Sequence, residues 1–212
     1  MGKQPQVQTS ETADMMAPRP AGQLRADARQ NHARLVAAAT QAFAEKGAEA
    51  PLEDVAKRAG VGIGTLYRHF PTRLDLQAAV FRSQVDTICG EGRALLEAES
   101  SPGVAFVGWI RNLAAYFAAK RGVSKVVMDG LGKDSELLRA CSMTMRETTE
   151  RLLTRAQEAG TIRPDITPMD VLRLMHGISV STETAPELGD RLLSIMLDGL
   201  AVKPGTGPSA GA

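Results

Sequence analysis

The chain has little of what covalent or metal chemistry needs. Its 212 residues include two cysteines and three histidines. Cys89 and Cys141 have no metal-ligand spacing and fall in apolar helical surroundings, so both read as reduced structural thiols. His32, His69 and His176 fall on different expected helices, whereas a zinc site needs clustered ligands; no metal and no other cofactor is expected. A nucleophile elbow, a phosphate loop and a dinucleotide fingerprint are all missing, and the Asp and Glu residues spread over solvated helical faces without an obvious pair, which argues against an enzyme. No stretch reaches the roughly 18 uninterrupted apolar residues of a membrane span. The polar N-terminus has no basic region followed by an apolar run, so no signal peptide is expected and the reading is cytoplasmic. Strand-like alternation and internal repeats are absent as well, which leaves an all-helical chain, and a hydrophobic content of 43% is enough for a substantial core.

Charge of one sign is also scarce overall, with a formal net of +1. It is unevenly placed. Residues 19–82 hold ten Lys/Arg against six Asp/Glu, a net of +4, and residues 83–203 hold 14 against 16, a net of −2. Positive potential therefore gathers in the first third, as in a nucleic-acid-binding head. Within that third, Leu52 to Arg73 reads as helix, Gly-containing turn and second short helix. Val55, Ala56 and Ala59 make an apolar stripe; Gly60 sits where a helix C-cap needs a left-handed residue; Leu66 and Phe70 give the second helix a core face. Its other face carries Ile63, Thr65, Tyr67, Arg68 and His69, groups able to reach phosphates or base edges. Upstream, Asp27 and Gln30 form a capping-box signal for a helix carrying Leu35, Val36, Ala39, Ala42 and Phe43 and ending at Lys46-Gly47. Downstream, Thr72 and Asp75 form a second box opening a long helix, with Arg73 in its first turn.

The ordered blocks AFAEKG, DVAKRAGV, GTLYRHF and PTR, over about residues 26 to 82, resemble the DNA-binding domain of the TetR family of bacterial one-component regulators. The resemblance implies a helix-turn-helix head whose recognition helix, about Ile63 to His69, enters the major groove of double-stranded DNA. Thr65, His69 and Arg73 match phosphate-contacting positions; Ile63, Gly64 and Arg68 match positions near base edges, and Tyr67 lies on the groove side. Two positions depart from the pattern. Ala50-Pro51 stands where Ser or Thr usually caps the first helix of the pair, and Gly62 caps the recognition helix without a side chain, leaving backbone amides to face phosphate.

The expected organisation is a disordered arm at 1–24, a DNA-binding domain at 25–82, a helical ligand-binding and dimerisation domain at 83–202, and a disordered tail at 203–212, with about nine helices in all. Gly90 and Gly92 would let the long helix bend. Further helices are expected at about Val104 to Lys120, Val123 to Leu131, Ser135 to Glu158, Met169 to Thr182 and Glu187 to Val202, the last two as an antiparallel hairpin. An aromatic face such as that from Phe106 to Phe117 reads by itself as core. The resemblance implies in addition an inducer cavity, walled by Phe106, Trp109, Leu113, Tyr116 and Phe117 and facing Cys141, Met145, Thr148, Met175 and His176, for a small and largely apolar inducer of unknown identity. It also implies a homodimer, for which Val171, Leu174 and Ile178 on one helix and Leu188, Leu192, Ile195, Met196 and Leu200 on the next form apolar stripes that could close a four-helix seam. The favoured reading is a repressor released from a palindromic operator by that inducer. A constitutive architectural DNA-binding protein, or a small-molecule carrier or enzyme with a vestigial head, remains open.

Overall fold

The computed structural model describes residues 21–98, 101–119, 123–132 and 134–202. Among them the chain forms α1 (Ala21–Lys46), α2 (Leu52–Ala59), α3 (Ile63–His69), α4 (Arg73–Ala98), α5 (Pro102–Ala119), α6 (Val123–Leu131), α7 (Glu136–Glu158), α8 (Pro168–Ser181), a 3-10 turn at Pro186–Leu188 and α9 (Gly189–Leu200). The fold is all-α, as expected. One isolated antiparallel bridge, Ile162 with Ala201, is the β pairing among the described residues.

Helix α1 starts six residues before the expected capping box, so Asp27 and Gln30 lie inside it and Ala21–Leu24 are helical instead of part of an arm. Apart from Gly22 this leading turn consists of Ala, Gln, Leu and Arg, all strong helix formers, and nothing in it stops propagation backwards from the apolar repeat. The remaining residues of the expected arm and the tail from 203 lie outside the described residues. Leu35, Ala39, Ala42 and Phe43 are buried and meet the buried face of α2, formed by Leu52, Val55, Ala56 and Ala59. Gly47, at φ 81°, ends α1 with its N–H on the Phe43 carbonyl at 3.0 Å. Lys46 with Asp54 at 2.5 Å, and Arg58 with Glu45, pair across α1 and α2 at the surface. Helix α2 opens after Pro51, which stands at the cap position and makes no side-chain cap hydrogen bond.

The turn between α2 and α3 is closed from two sides. Gly60, at φ 66°, puts its N–H on the Lys57 carbonyl at 3.1 Å, and Val61 reaches back to the Ala56 carbonyl at 3.0 Å, the double closure that a left-handed residue permits. From α1, the Arg34 guanidinium donates to the carbonyls of Ala59 and Gly60, so this turn is hydrogen-bonded to the helix beneath it.

Helix α4 organises the rest, packing on α1, α5, α6 and α7. Its start is the expected reciprocal box: the Thr72 N–H lies 2.9 Å from Asp75 Oδ2 and the Asp75 N–H 3.1 Å from Thr72 Oγ1. It then runs unbroken through both glycines. Gly92 serves close approach: a Cβ there would come within 2.6 Å of Thr148 Cγ2 and 2.8 Å of the Trp109 ring. Trp109 is fully buried against it and donates its indole N–H to Thr149 Oγ1 at 3.1 Å. Helix α5 packs on α7 and α8, and α8 on α7 and α9. A second reciprocal box, Thr167 with Asp170, opens α8 with Pro168 in its first turn. Beside the Ile162–Ala201 bridge, the Arg163 N–H meets the Leu200 carbonyl at 3.0 Å and the Val202 N–H the Thr161 carbonyl at 3.1 Å, so α9 returns to the approach of α8.

Candidate nucleic-acid interface and cavity

Helix α3 has seven residues and one buried side chain, Leu66; with Phe70 it anchors the helix to the core. That single anchor leaves its outer face to solvent. Ile63 is 38% and Tyr67 47% exposed, and Arg68, Gly62 and Gly64 are exposed too. Large amphipathic side chains standing on an exposed helix of a positively charged head suit base edges and phosphates. Arg68 folds back so that its Nε donates to the Gly64 carbonyl at 3.2 Å, leaving the rest of the guanidinium fork outward. Thr65 and His69 are half-buried. The His69 ring lies edge-on to His32 of α1 at 6.1 Å, and His32 also packs on Phe70 at 4.9 Å. Burial, and then the charge of His69, hold His32 below the ordinary imidazole range.

Arg73, in the first turn of α4, is half-buried and engaged within the chain. Its Nη1 donates to the carbonyls of Ala50 at 2.7 Å and Ala48 at 3.3 Å, and its Nε lies 3.9 Å from Glu49 Oε2. Gln77, buried one turn later, adds a bond from Nε2 to the same Ala48 carbonyl at 2.9 Å. The segment joining α1 to α2 has no helical partner for these carbonyls, and a buried acceptor without a donor is costly, so the first turns of α4 supply the donors. Arg73 thus braces the start of α4 against the 48–50 segment. Sequence reasoning missed Gln77 entirely; a polar residue between Leu76 and Ala79 was the available signal.

A cavity of about 490 Å³ lies among α4, α5, α6, α7 and α8. Of the expected wall, Tyr116, Phe117, Cys141, Met145 and His176 line it. Phe106, Trp109 and Leu113 do not: all three are fully buried, Trp109 in the space that Gly92 leaves. Thr148 is buried with its hydroxyl on the Thr144 carbonyl at 2.9 Å, and Met175 faces a second cavity, of about 480 Å³, between α5, α8 and α9. Lining residues the sequence did not reveal include Phe81 and Val85 of α4, Asp129 of α6, Met169 of α8 and Glu183. Phe81 and Val85 continue the four-residue spacing from Gln77, so one stripe of α4 runs from brace to cavity wall. Tyr116, edge-on to Phe117 at 5.4 Å, has its hydroxyl pushed up from the usual phenol range, first by burial and then by the thiols of Cys141 and Cys89.

The expected seam residues divide between two faces of the α8–α9 hairpin. Val171, Met196 and Leu200 are buried within the chain, since α8 packs on α5 and α7 and α9 packs on α8, and so they belong to its own core. Leu174 at 47% exposed, Ile195 at 57% and Leu188 stand outward, with Ile178 and Leu192 half-buried beside a shallow groove. Among the described residues no cluster of His, Cys, Asp and Glu has the makings of a metal site, and no helix is long and apolar enough to cross a membrane.

Known proteins share this arrangement. Residues 35–80 match the family model described as bacterial regulatory proteins, TetR family, and residues 101–202 match the C-terminal domain of SbtR-like transcriptional regulators. A TetR transcriptional regulator from Streptomyces coelicolor is 34% identical, with a TM-score of 0.66 and an alignment covering 80% of this chain and 98% of that one. A TetR regulatory protein from Mycobacterium vanbaalenii is 35% identical, with a TM-score of 0.67 and coverage of 84% and 99%. An HTH-type transcriptional regulator of Staphylococcus aureus is 39% identical over 64 residues, 30% of this chain and 35% of that protein. The chain thus spans about a third of the length of the curated relatives it matches.

Proposed function

We propose a function for this chain on the premise that its relatives supply: it belongs to the TetR family of transcriptional regulators. On this reading residues 25–82 engage DNA and residues 83–202 hold an effector and join two copies. The regulator is a repressor that a small, largely apolar inducer releases from a palindromic operator. Helix α3 enters the major groove, where Arg68 reads a guanine and Ile63 a thymine methyl, with Thr65, Tyr67 and His69 toward the backbone. The outward residues of the α8–α9 hairpin, Leu174, Leu188 and Ile195, form the twofold contact.

The observation that carries the proposal is that α4 serves both ends. Phe81 and Val85 wall the cavity, and Gln77 and Arg73, beginning one turn earlier, hold the 48–50 segment of the head. The step from Phe81 to Gln77 is about 6 Å along the axis. Helix α6, also a cavity wall, approaches the first turn of α4, where a Cβ on Gly130 would come within 2.9 Å of the Leu74 side chain. An inducer that favours a displaced α4 lowers operator affinity by its differential binding energy between the two head positions, and operator lowers inducer affinity by the same factor.

Selection of DNA from a random pool by the full chain, followed by anisotropy titrations at two salt concentrations, tests the head. A palindromic consensus with salt-sensitive affinity is the expected result, and enrichment of no sequence would overturn specific recognition. Arg68→Ala should cost about 1–3 kcal/mol and relax one base position. An unchanged consensus would remove Arg68 as a base reader. Leu174→Asp should give monomers by light scattering; an unchanged mass would put the contact elsewhere.

A further inference from the structure

We propose that Phe117 limits the length of the effector: the α4–α8 cavity takes a compact apolar molecule, and the Phe117 ring stops a longer one from running on into the second cavity. The inference rests on the reading of the α4–α8 cavity as the effector site and adds the residue that sets the size of its occupant. The two cavities have nearly equal volumes, about 490 and 480 Å³. They adjoin. Among the described lining residues, Phe117 of α5 and Ser179 of α8 are the two that border both.

Helical spacing explains why the border falls at these two side chains. On α8, Leu172, His176 and Val180 recur at four-residue steps along the first cavity, whereas Met175, Ile178 and Thr182 recur at steps of three and four along the second. Ser179 lies on the ridge between those faces. On α5, Tyr116 turns to the first cavity and Ala114 and Ala118 to the second, with Phe117 at the angle between them. Helix α5 packs directly on α8, so the partition stands where the two helices meet, and because a serine side chain is short the phenyl ring supplies most of it. Phe117 is half-buried and meets Tyr116 edge-on at 5.4 Å, a favoured aromatic arrangement that resists turning the ring aside. Beyond the ring the wall is again hydrocarbon, from Ala114, Ala118, Ile178 and Leu193. A chain that passed the ring would gain about fourfold in affinity for each further methylene buried. The ring withholds that gain.

Calorimetric titration of primary n-alkanols, from pentanol to dodecanol, into the full chain reads this limit. In the wild-type protein affinity should rise about fourfold per methylene and then level off at one chain length. Phe117→Ala should carry the rise on to longer chains. Phe117→Leu, which keeps a packed side chain at the border, should carry it part of the way and serves if thermal melts show the Ala variant unfolded. Adding Leu193→Trp to whichever of these folds narrows the second cavity from α9, where Leu193 borders that cavity alone, and should restore the early levelling. A rise that continues unbroken in the wild-type protein, or levelling at the same length in the Phe117 variants, overturns this inference and leaves the effector cavity standing. A longer limit that survives Leu193→Trp means that the added chain fills only the space the ring vacated, and overturns the passage between cavities. Binding of no alkanol by any form overturns the cavity reading together with this one.

Discussion

Replacing Gln77 by Leu tests whether α4 holds the head through the 48–50 segment. Leu is close to Gln in volume and keeps the site filled, so the change removes chiefly the bond from Nε2 to the Ala48 carbonyl at 2.9 Å. A buried neutral hydrogen bond contributes about 1 kcal/mol net, and an acceptor left bare costs about 1–3 kcal/mol. Ala48 is not left wholly bare, because Arg73 Nη1 remains 3.3 Å from the same oxygen. The single substitution should therefore cost about 1–2 kcal/mol, or roughly 2–8 °C in Tm for a chain of this size. DNA affinity should fall with it by about fivefold to tenfold, since the segment that orients α2 and α3 loses its firmer tether. Arg73→Ala alone leaves Gln77 in place. The two together strip both Ala48 and Ala50 of side-chain donors, so the double variant should lose about 1 kcal/mol more than the sum of the singles. Thermal melts and anisotropy titrations on the selected site would measure this cycle. Strict additivity, or wild-type melting and binding in Gln77→Leu, would refute the brace.

Gly92→Ala should destabilise by about 1–3 kcal/mol, because its methyl would enter the contact with Thr148 Cγ2 and the Trp109 ring; denaturant unfolding with no shift in midpoint would show that the neighbours yield freely. Acid should weaken the fold in two stages. His32 binds its proton less readily folded than unfolded, so below about pH 6.5 the unfolded chain takes up the proton first and stability falls. The carboxyls of Asp170, Asp54 and Glu45 are held below their usual range by hydrogen bonds from Thr167, Lys46 and Arg58, and their contribution, present above that range, is lost below about pH 4. His32→Gln should abolish the first stage alone, and a melting-against-pH profile identical to wild type would refute that assignment.

What could be read from the sequence was local. Gly60 at a left-handed cap, the Thr72–Asp75 box and the solvent face of α3 each follow from a few neighbouring residues, and the structure has all three. What needed partners distant in sequence was not legible. A cation next to the recognition helix suggests phosphate, and nothing near it in sequence announces that Ala48 and Ala50 present their carbonyls to it from 25 and 23 residues away. An amphipathic stripe on α5 shows which side turns inward but not how deep each side chain sinks. Trp109 reaches the core through a missing Cβ on α4, whereas Tyr116 and Phe117, on the same helix, stop at a cavity. The hairpin stripes divide for a related reason: two helices that pack into their own core use part of their apolar surface there, and the spacing of Leu, Ile and Met does not say which part.

The bridge between Ile162 and Ala201 turns the last two helices into a closed ring of about 40 residues, hydrogen-bonded at Arg163–Leu200 and Thr161–Val202 where the ring shuts. In an open hairpin either helix can fray from its free end. In this one the end of α9 is sewn to the threshold of α8, and peeling either helix away means opening the closure first. The ring's outer apolar face is then a rigid plate whose ordering is settled during folding. A second copy that lands on it meets a surface already set, and little of the contact energy is lost to fixing its backbone. The two amide protons at the closure, those of Arg163 and Val202, should exchange with solvent as one cooperative group.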